Sequence, residues 1–261
     1  MTMKNFNRLP QELCFTANTA GSTVNLYYNQ SPFSVSLEKS TDWVNRTTYN
    51  RWTTITLTNV WDKVYLRNTS DTTTKFSTDN TNYHFFKMTW SINASWDVTS
   101  LINKNCTDTL LYNYCFKSLF VNCTSLRTAP KLPATTLTNY CYNGMFSWCS
   151  NLTTAPSLPA TTLWTYCYVQ MFNNCSNLEE LPKLPATTLT NYCYQQMFYK
   201  CSKIKISTTQ TWEYQTEYRI PTSWTGTAWT NSLQNMFAST WWTFTWTPSI
   251  NTTYYTSNTL V

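Results

Sequence analysis

At 261 residues with 42% apolar content, the chain can bury a substantial core as one large domain or two smaller ones. Only 11% of its residues are charged, against roughly 25% in ordinary soluble domains, so Thr, Asn and Ser must wet most of its surface. The net charge of +6 is spread thinly, as at Lys4, Arg8, Lys104 and Lys203. No dense basic run alternates with stacking aromatics, which argues against nucleic acid as a partner.

The opening "MTMKNFNRLPQELCF" has no apolar signal-peptide core, and "PQELC" lacks the small residues expected before a lipidated Cys. No window approaches the roughly 18 apolar residues that cross a bilayer. The expectation is a leader over 1–11, no membrane insertion, and no visible signal peptide or transmembrane segment. Over 12–98, "STVNLYY", "FSVSLEKS", "TTITLTNV" and "KVYLRNTS" alternate apolar residues with polar or Thr residues. That alternation predicts half-buried antiparallel strands in a small β-sandwich-like domain. "SINASWDVTSLI" and "LLYNYCFKSLF" then read as a degraded first strand and helix of a repeat array over 99–206.

The array has a 26-residue period in four columns: Cys115, Cys141, Cys167 and Cys193; Cys123, Cys149, Cys175 and Cys201; Phe120, Phe146, Phe172 and Phe198; Leu126, Leu152, Leu178 and Ile204. Such a period lies within the roughly 20 to 29 residues of leucine-rich repeats, whose units bury an apolar face only by stacking on neighbours. Leu137, Cys141, Met145 and Cys149 step by four, with Tyr140 at the three-residue offset. This pattern predicts a helix from about Leu137 to Phe146, capped by Thr135 or Thr136, with Pro133 barring an earlier start. A short strand is expected near Leu152 to Ala155, ended by Pro156 and Pro159. The fold class is thus α+β: a β-sandwich-like domain and a strand-plus-helix repeat solenoid. After Ile206 the register breaks, and 207–261 reads as an insertion followed by an atypical closing unit echoing "MF" at Met236.

Eight of the ten Cys occupy two columns, and either a disulfide or metal framework or a row of small buried hydrophobes would place them there. A seven-residue gap without CxxC pairs or matching His does not fit zinc, and the columns read as reduced thiols. No metal or other cofactor is expected. Comparing the repeats with one another, Arg127, Thr153, Glu179 and Lys205 differ, as do Lys131, Ser157 and Lys183. Along the expected helix, Lys117, Asn143, Val169 and Gln195 vary, as do Asn122, Trp148, Asn174 and Lys200. Positions free of packing constraint should face solvent, and a binding face is expected on the first two sets.

The columns "LPATTL", "NYCY", "MF", "CSNL" and "AP" resemble the BspA-like leucine-rich repeats of bacterial surface proteins, in the 26-residue variety also found in gut bacteria and their phages. The resemblance is close over about 115–206. It implies adhesion to a protein or glycan on a host or bacterial surface, an extracellular, cell-surface or virion location, and no catalytic residues. A structural virion or surface-assembly part without a ligand is the alternative, and a carbohydrate-binding module built on exposed Trp and Tyr is a second.

Glycine appears 3 times, about 1% against the usual roughly 7%, while Trp appears 13 times. Trp43, Trp61, Trp96, Trp224, Trp229, Trp241 and Trp242 stand where turn chemistry favours glycine. Trp148 falls on the glycine of the family's "MFxGC". Either UGA codons meaning glycine have been rendered as Trp, or the tryptophans form an aromatic platform for sugars. An enzyme is not expected. The single His84 sits among aromatics in "NYHFFKM", and strand alternation points Glu179 and Glu180 to opposite faces. No phosphate loop, GxSxG or HExxH is present.

Overall fold

The computed structural model describes residues 11–30, 35–106, 111–242 and 247–261. The expected leader, apart from Gln11, lies outside the described residues, as do Lys4 and Arg8. The first region forms β1 (Leu13–Ala17), β2 (Ser22–Tyr28), β3 (Leu37–Ser40), β4 (Thr47–Tyr49), β5 (Ile55–Leu57), β6 (Lys63–Asn68), β7 (His84–Met88) and β8 (Ile92–Ser95). Alternation is visible in β2, where Ser22, Val24 and Leu26 are buried while Thr23, Asn25 and Tyr27 are half-buried. One sheet has the order β4-β3-β6-β1-β8, and β8 pairs in parallel with β9 (Leu126–Thr128) from the repeat region. The other has the order β5-β2-β7. The sheets meet through Phe15 of β1 and Phe86 of β7, edge to face with ring centroids 5.0 Å apart.

A charge network stitches the larger sheet. Arg46 donates from Nη2 to both Glu12 carboxylate oxygens at 2.8 Å, and Arg67 Nη1 reaches Glu12 Oε1 at 3.1 Å. Arg67 Nε also donates to Glu38, its cross-strand partner between β6 and β3. Nothing in the linear spacing of Glu12, Glu38, Arg46 and Arg67 announces this network, because it exists only once the strands pair.

The repeats depart from the strand-plus-helix solenoid expected from their sequence. Among the described residues there is no α-helix, and the only helical element is a single 3-10 turn, Val98–Leu101. The segment 137–146, expected to be helical, is instead irregular at 137–138 and then part of a run of consecutive turns over 139–148. Within the repeat at 138–149, the amides of Cys141, Asn143, Met145, Ser147 and Cys149 each donate to the carbonyl three residues back, at 3.0–3.4 Å. The intervening amides leave the segment. Those of Tyr140, Tyr142, Gly144, Phe146 and Trp148 donate to the carbonyls of Thr165, Cys167, Val169, Met171 and Asn173 in the next repeat, at 2.7–3.2 Å. Even-numbered carbonyls accept locally and odd-numbered ones accept from the preceding repeat, so the buried backbone is satisfied only when the segments stack.

The four-residue spacing decides between the two geometries. A helix of 3.6 residues per turn drifts about 40° for every four residues, so Leu137 and Cys149 would lie about 120° apart around it. Instead Leu137, Cys141, Met145 and Cys149 are all buried, because the backbone itself repeats every four residues. Tyr140, Gly144 and Trp148 each stand third in a four-residue turn with φ of 60°, 59° and 65°. Positive φ at that position alone is the signature of a type II turn. The pairs Cys141–Tyr142 and Met145–Phe146 point inward, and Asn143–Gly144 and Ser147–Trp148 form the corners.

The same ribbon of turns recurs at 112–123, 164–175, 190–201 and 229–240. The last follows after a 39-residue step and receives amide bonds from Tyr194, Gln196, Phe198 and Lys200. Phe120, Phe146, Phe172, Phe198 and Phe237 stack with centroids 5.3–5.6 Å apart. Phe120 also stacks on Phe86 at 5.5 Å, so the first region and the ribbons share one core. The remaining strands are β10 (Glu180–Leu181), β11 (Thr188–Leu189), β12 (Lys205–Ser207), β13 (Thr216–Arg219), β14 (Thr227–Ala228), β15 (Trp241–Trp242), β16 (Thr253–Thr256) and β17 (Thr259–Leu260). They pair residues 207–261 back onto the last repeats as β10-β17, β11-β14 and β13-β16-β12-β15.

Candidate recognition surface

All sixteen residues of the Cys, Phe and Leu/Ile columns are buried. The thiols do more than fill space. Cys149, Cys175 and Cys201 donate from Sγ to the carbonyls of Phe120, Phe146 and Phe172 in the preceding ribbon at 3.0–3.1 Å, and Cys123 donates likewise to Phe86 at 3.1 Å. Each Phe carbonyl of ribbons two and three thereby uses both lone pairs, one for the Cys amide of its own turn and one for the thiol of the next. Burial pushes the Cys141 thiol up to about 11 and that of Cys193 up to about 12, so the columns are inert as nucleophiles at neutral pH. None of the ten cysteines forms a disulfide. Among the described residues no group of three or more His, Cys, Asp or Glu could hold a metal ion.

The two variable columns expected to form a binding face lie at the surface. Arg127, Glu179, Lys131, Ser157 and Lys183 are exposed, and Thr153 and Lys205 are half-buried. Backbone bonds join the first column directly: Thr153 N donates to Arg127 O at 3.4 Å and Glu179 N to Thr153 O at 2.8 Å. At Lys205 the ladder is replaced by Asn258, whose Oδ1 accepts from Lys205 N at 2.8 Å while its Nδ2 donates to Glu179 O at 2.9 Å. Glu179 pairs with Lys203, and Lys205 Nζ with Glu213 at 3.0 Å. Half of this column is therefore occupied by its own ion pairs.

Lys131 and Ser157 of the second column, but not Lys183, line an open groove of about 330 Å³ together with Pro130, Pro133, Pro156, Pro159, Ala129 and Leu132. The prolines explain it. Neighbouring repeats bridge at Thr128 to Thr154 and again at Thr136 to Thr162, but proline has no amide to donate between them. The sequence "APKLP" beside "APSLP" thus leaves a furrow where the chains cannot pair. A second recess, of about 420 Å³, lies beside Glu179, Lys203, Lys205 and Asn258.

Of the helical-face positions expected at the surface, one set does not face solvent freely. Val169 is buried, and Lys117, Asn143 and Gln195 are half-buried. Lys117 lies 4.4 Å over the Tyr83 ring and donates to Asn80 O at 3.2 Å, while Gln195 donates to Gln234 Oε1 at 2.6 Å. These side chains tie ribbons to their neighbours. In the other set Asn122, Trp148 and Lys200 are exposed and Asn174 is half-buried.

His84 is fully buried, its Nδ1 2.7 Å from Phe76 O, and desolvation lowers its pKa to about 4. Glu179 is exposed and Glu180 is half-buried in β10. Among the described residues no helix is long and apolar enough to cross a membrane. No family model, curated protein or solved structure matches the chain.

Proposed function

We propose that the chain is a non-enzymatic recognition protein whose contact surface is the proline-lined groove between Lys131 and Ser157, continued by Lys183. The supporting observation is the groove itself: a proline-lined apolar cleft bordered by the exposed Lys131 and Ser157, which differ from repeat to repeat, in the segments that connect ribbons hydrogen-bonded to one another. Apolar clefts with a few convergent polar groups are the usual form of a binding site. The target is a protein or glycan presented on a bacterial or host surface, in keeping with the resemblance to surface repeat proteins.

The test is a screen of the purified chain against glycan arrays and whole bacterial or host cells, alongside a variant carrying Lys131→Glu, Ser157→Arg and Lys183→Glu. Binding by the parent and loss of at least tenfold in affinity by the variant, with unchanged thermal unfolding, is the expected result. Binding that survives these changes but is lost on altering the exposed faces of β2 or β7 would move the surface to the first region. No binding by the parent, together with self-assembly, would favour a structural assembly component instead.

A further inference from the structure

The tryptophans occupy backbone that suits another residue. Residues 11–98 contain five of them, and every one has a left-handed φ: Trp43 67°, Trp52 73°, Trp61 73°, Trp90 61° and Trp96 63°. Among the described residues of this region only one other non-glycine residue, Gln30, has positive φ. In that conformation the Cβ of an L-residue crowds a neighbouring carbonyl, and a bulky side chain there is an outlier, whereas glycine enters at no steric cost.

An internal control stands beside them. Ser22 N donates to Thr19 O at 3.3 Å, closing a turn whose third residue is Gly21, with φ of 77°. Thr53 N to Asn50 O at 3.0 Å and Asp62 N to Asn59 O at 3.2 Å close two more turns of the same kind, whose third residues are Trp52 and Trp61. All three favour glycine at the third position by the rule for type II turns, and one has it. Two further tryptophans share the conformation, Trp148 at 65° in the second ribbon and Trp224 at 67°. In the ribbons Tyr, Ser, Asn, Gln and Lys also occupy left-handed corners, so Trp148 carries less weight alone than the five of the first region.

Side-chain placement is an independent second observation. Trp43, Trp52, Trp61, Trp90, Trp148 and Trp224 are 38–82% exposed, and Trp96 is half-buried. Their contacts are peripheral, such as Trp52 edge-on to Tyr27 and Tyr28 and Lys131 over Trp96. Glycine at any of these positions would leave the fully buried core intact. Trp164, Trp212, Trp229, Trp241 and Trp242 do not have left-handed backbone, which removes the turn argument for the last three.

We propose that positions 43, 52, 61, 90, 96, 148 and 224 are glycine in the protein as its source makes it, encoded by UGA codons that a glycine-charged tRNA reads. A sugar platform built on these indoles then does not exist, and recognition falls to the polar and proline-lined surfaces. Peptide mass spectrometry of the protein isolated from its source is the direct test. Glycine at all five positions of residues 11–98 is expected, and tryptophan at any of them, or a UGG codon there, overturns the proposal. A second measurement compares the chain carrying all seven Trp→Gly changes with the chain bearing tryptophan. The seven changes should raise the unfolding temperature, or permit folding where the tryptophan chain fails, while Trp164→Gly with Trp212→Gly should not raise it. A sevenfold variant that unfolds at a lower temperature than the tryptophan chain also overturns the proposal.

Discussion

The sheets of residues 11–98 and the ribbons of 112–240 both join chain to chain by backbone hydrogen bonds, but they divide those bonds differently. In β1, β2 and β6 the bonds run to neighbouring strands, and in β2 buried and half-buried side chains alternate with period two. In the ribbons every second amide bonds three residues back and the others reach the next repeat, so the side-chain period is four. The ribbon gains local closure at each turn, yet it needs a left-handed corner every four residues, which the strands do not. Where the first region keeps its left-handed residues outside its strands, the ribbons build them into every repeat.

The largest expected effect lies in the stacked core. Phe146→Ala, between Phe120 at 5.4 Å and Phe172 at 5.6 Å, should destabilise the protein by about 3–5 kcal/mol in urea unfolding. Because the stack continues into Phe86 and Phe15, the loss should appear in one transition reported by both regions. Two separated transitions would show that the regions unfold independently.

The first region carries the expected pH dependence. His84 is held neutral in the fold with its pKa lowered to about 4, below the ordinary value of 6.5. A depressed folded-state pKa means that the unfolded chain binds the proton first as pH falls. Stability is therefore fully present above pH 6.5 and declines toward pH 4, by about 2 kcal/mol between pH 7 and pH 5. A His84→Phe variant should lose that slope, and an unchanged slope would assign it elsewhere.

The smallest effect tests the corner geometry. A Cβ on Gly144 would meet nothing closer than Ser118 Oγ at 3.5 Å, so Gly144→Ala probes backbone strain alone. At φ of 59° it should cost about 1–2 kcal/mol by thermal unfolding. No change would mean that the second ribbon does not use a left-handed corner there.

Much of this was legible in the residues. Alternation placed β2 and β6 because a half-buried strand must write period two, and the 26-residue columns marked the buried Cys, Phe and Leu/Ile positions because identical repeats present identical holes. The scarcity of glycine among turn-like tryptophans was also visible. The apolar spacing imitates a helix because a four-residue step is close to 3.6, and spacing alone carries no handedness. The corner dipeptide Asn143–Gly144 was the available signal for turns. Other features arise only when segments distant in sequence meet. Glu12 finds Arg46 and Arg67 through strand pairing, Cys149 finds the Phe120 carbonyl through stacking, and the groove opens because prolines 26 residues apart fall side by side. Hydrophobicity and the 26-residue period are enough to mark the Cys, Phe and Leu/Ile columns as buried, whereas the burial of Val169 is not legible in them. Tertiary structure alone decided how the backbone turns, because the choice between helix and ribbon rests on amides that are satisfied only by the neighbouring repeat.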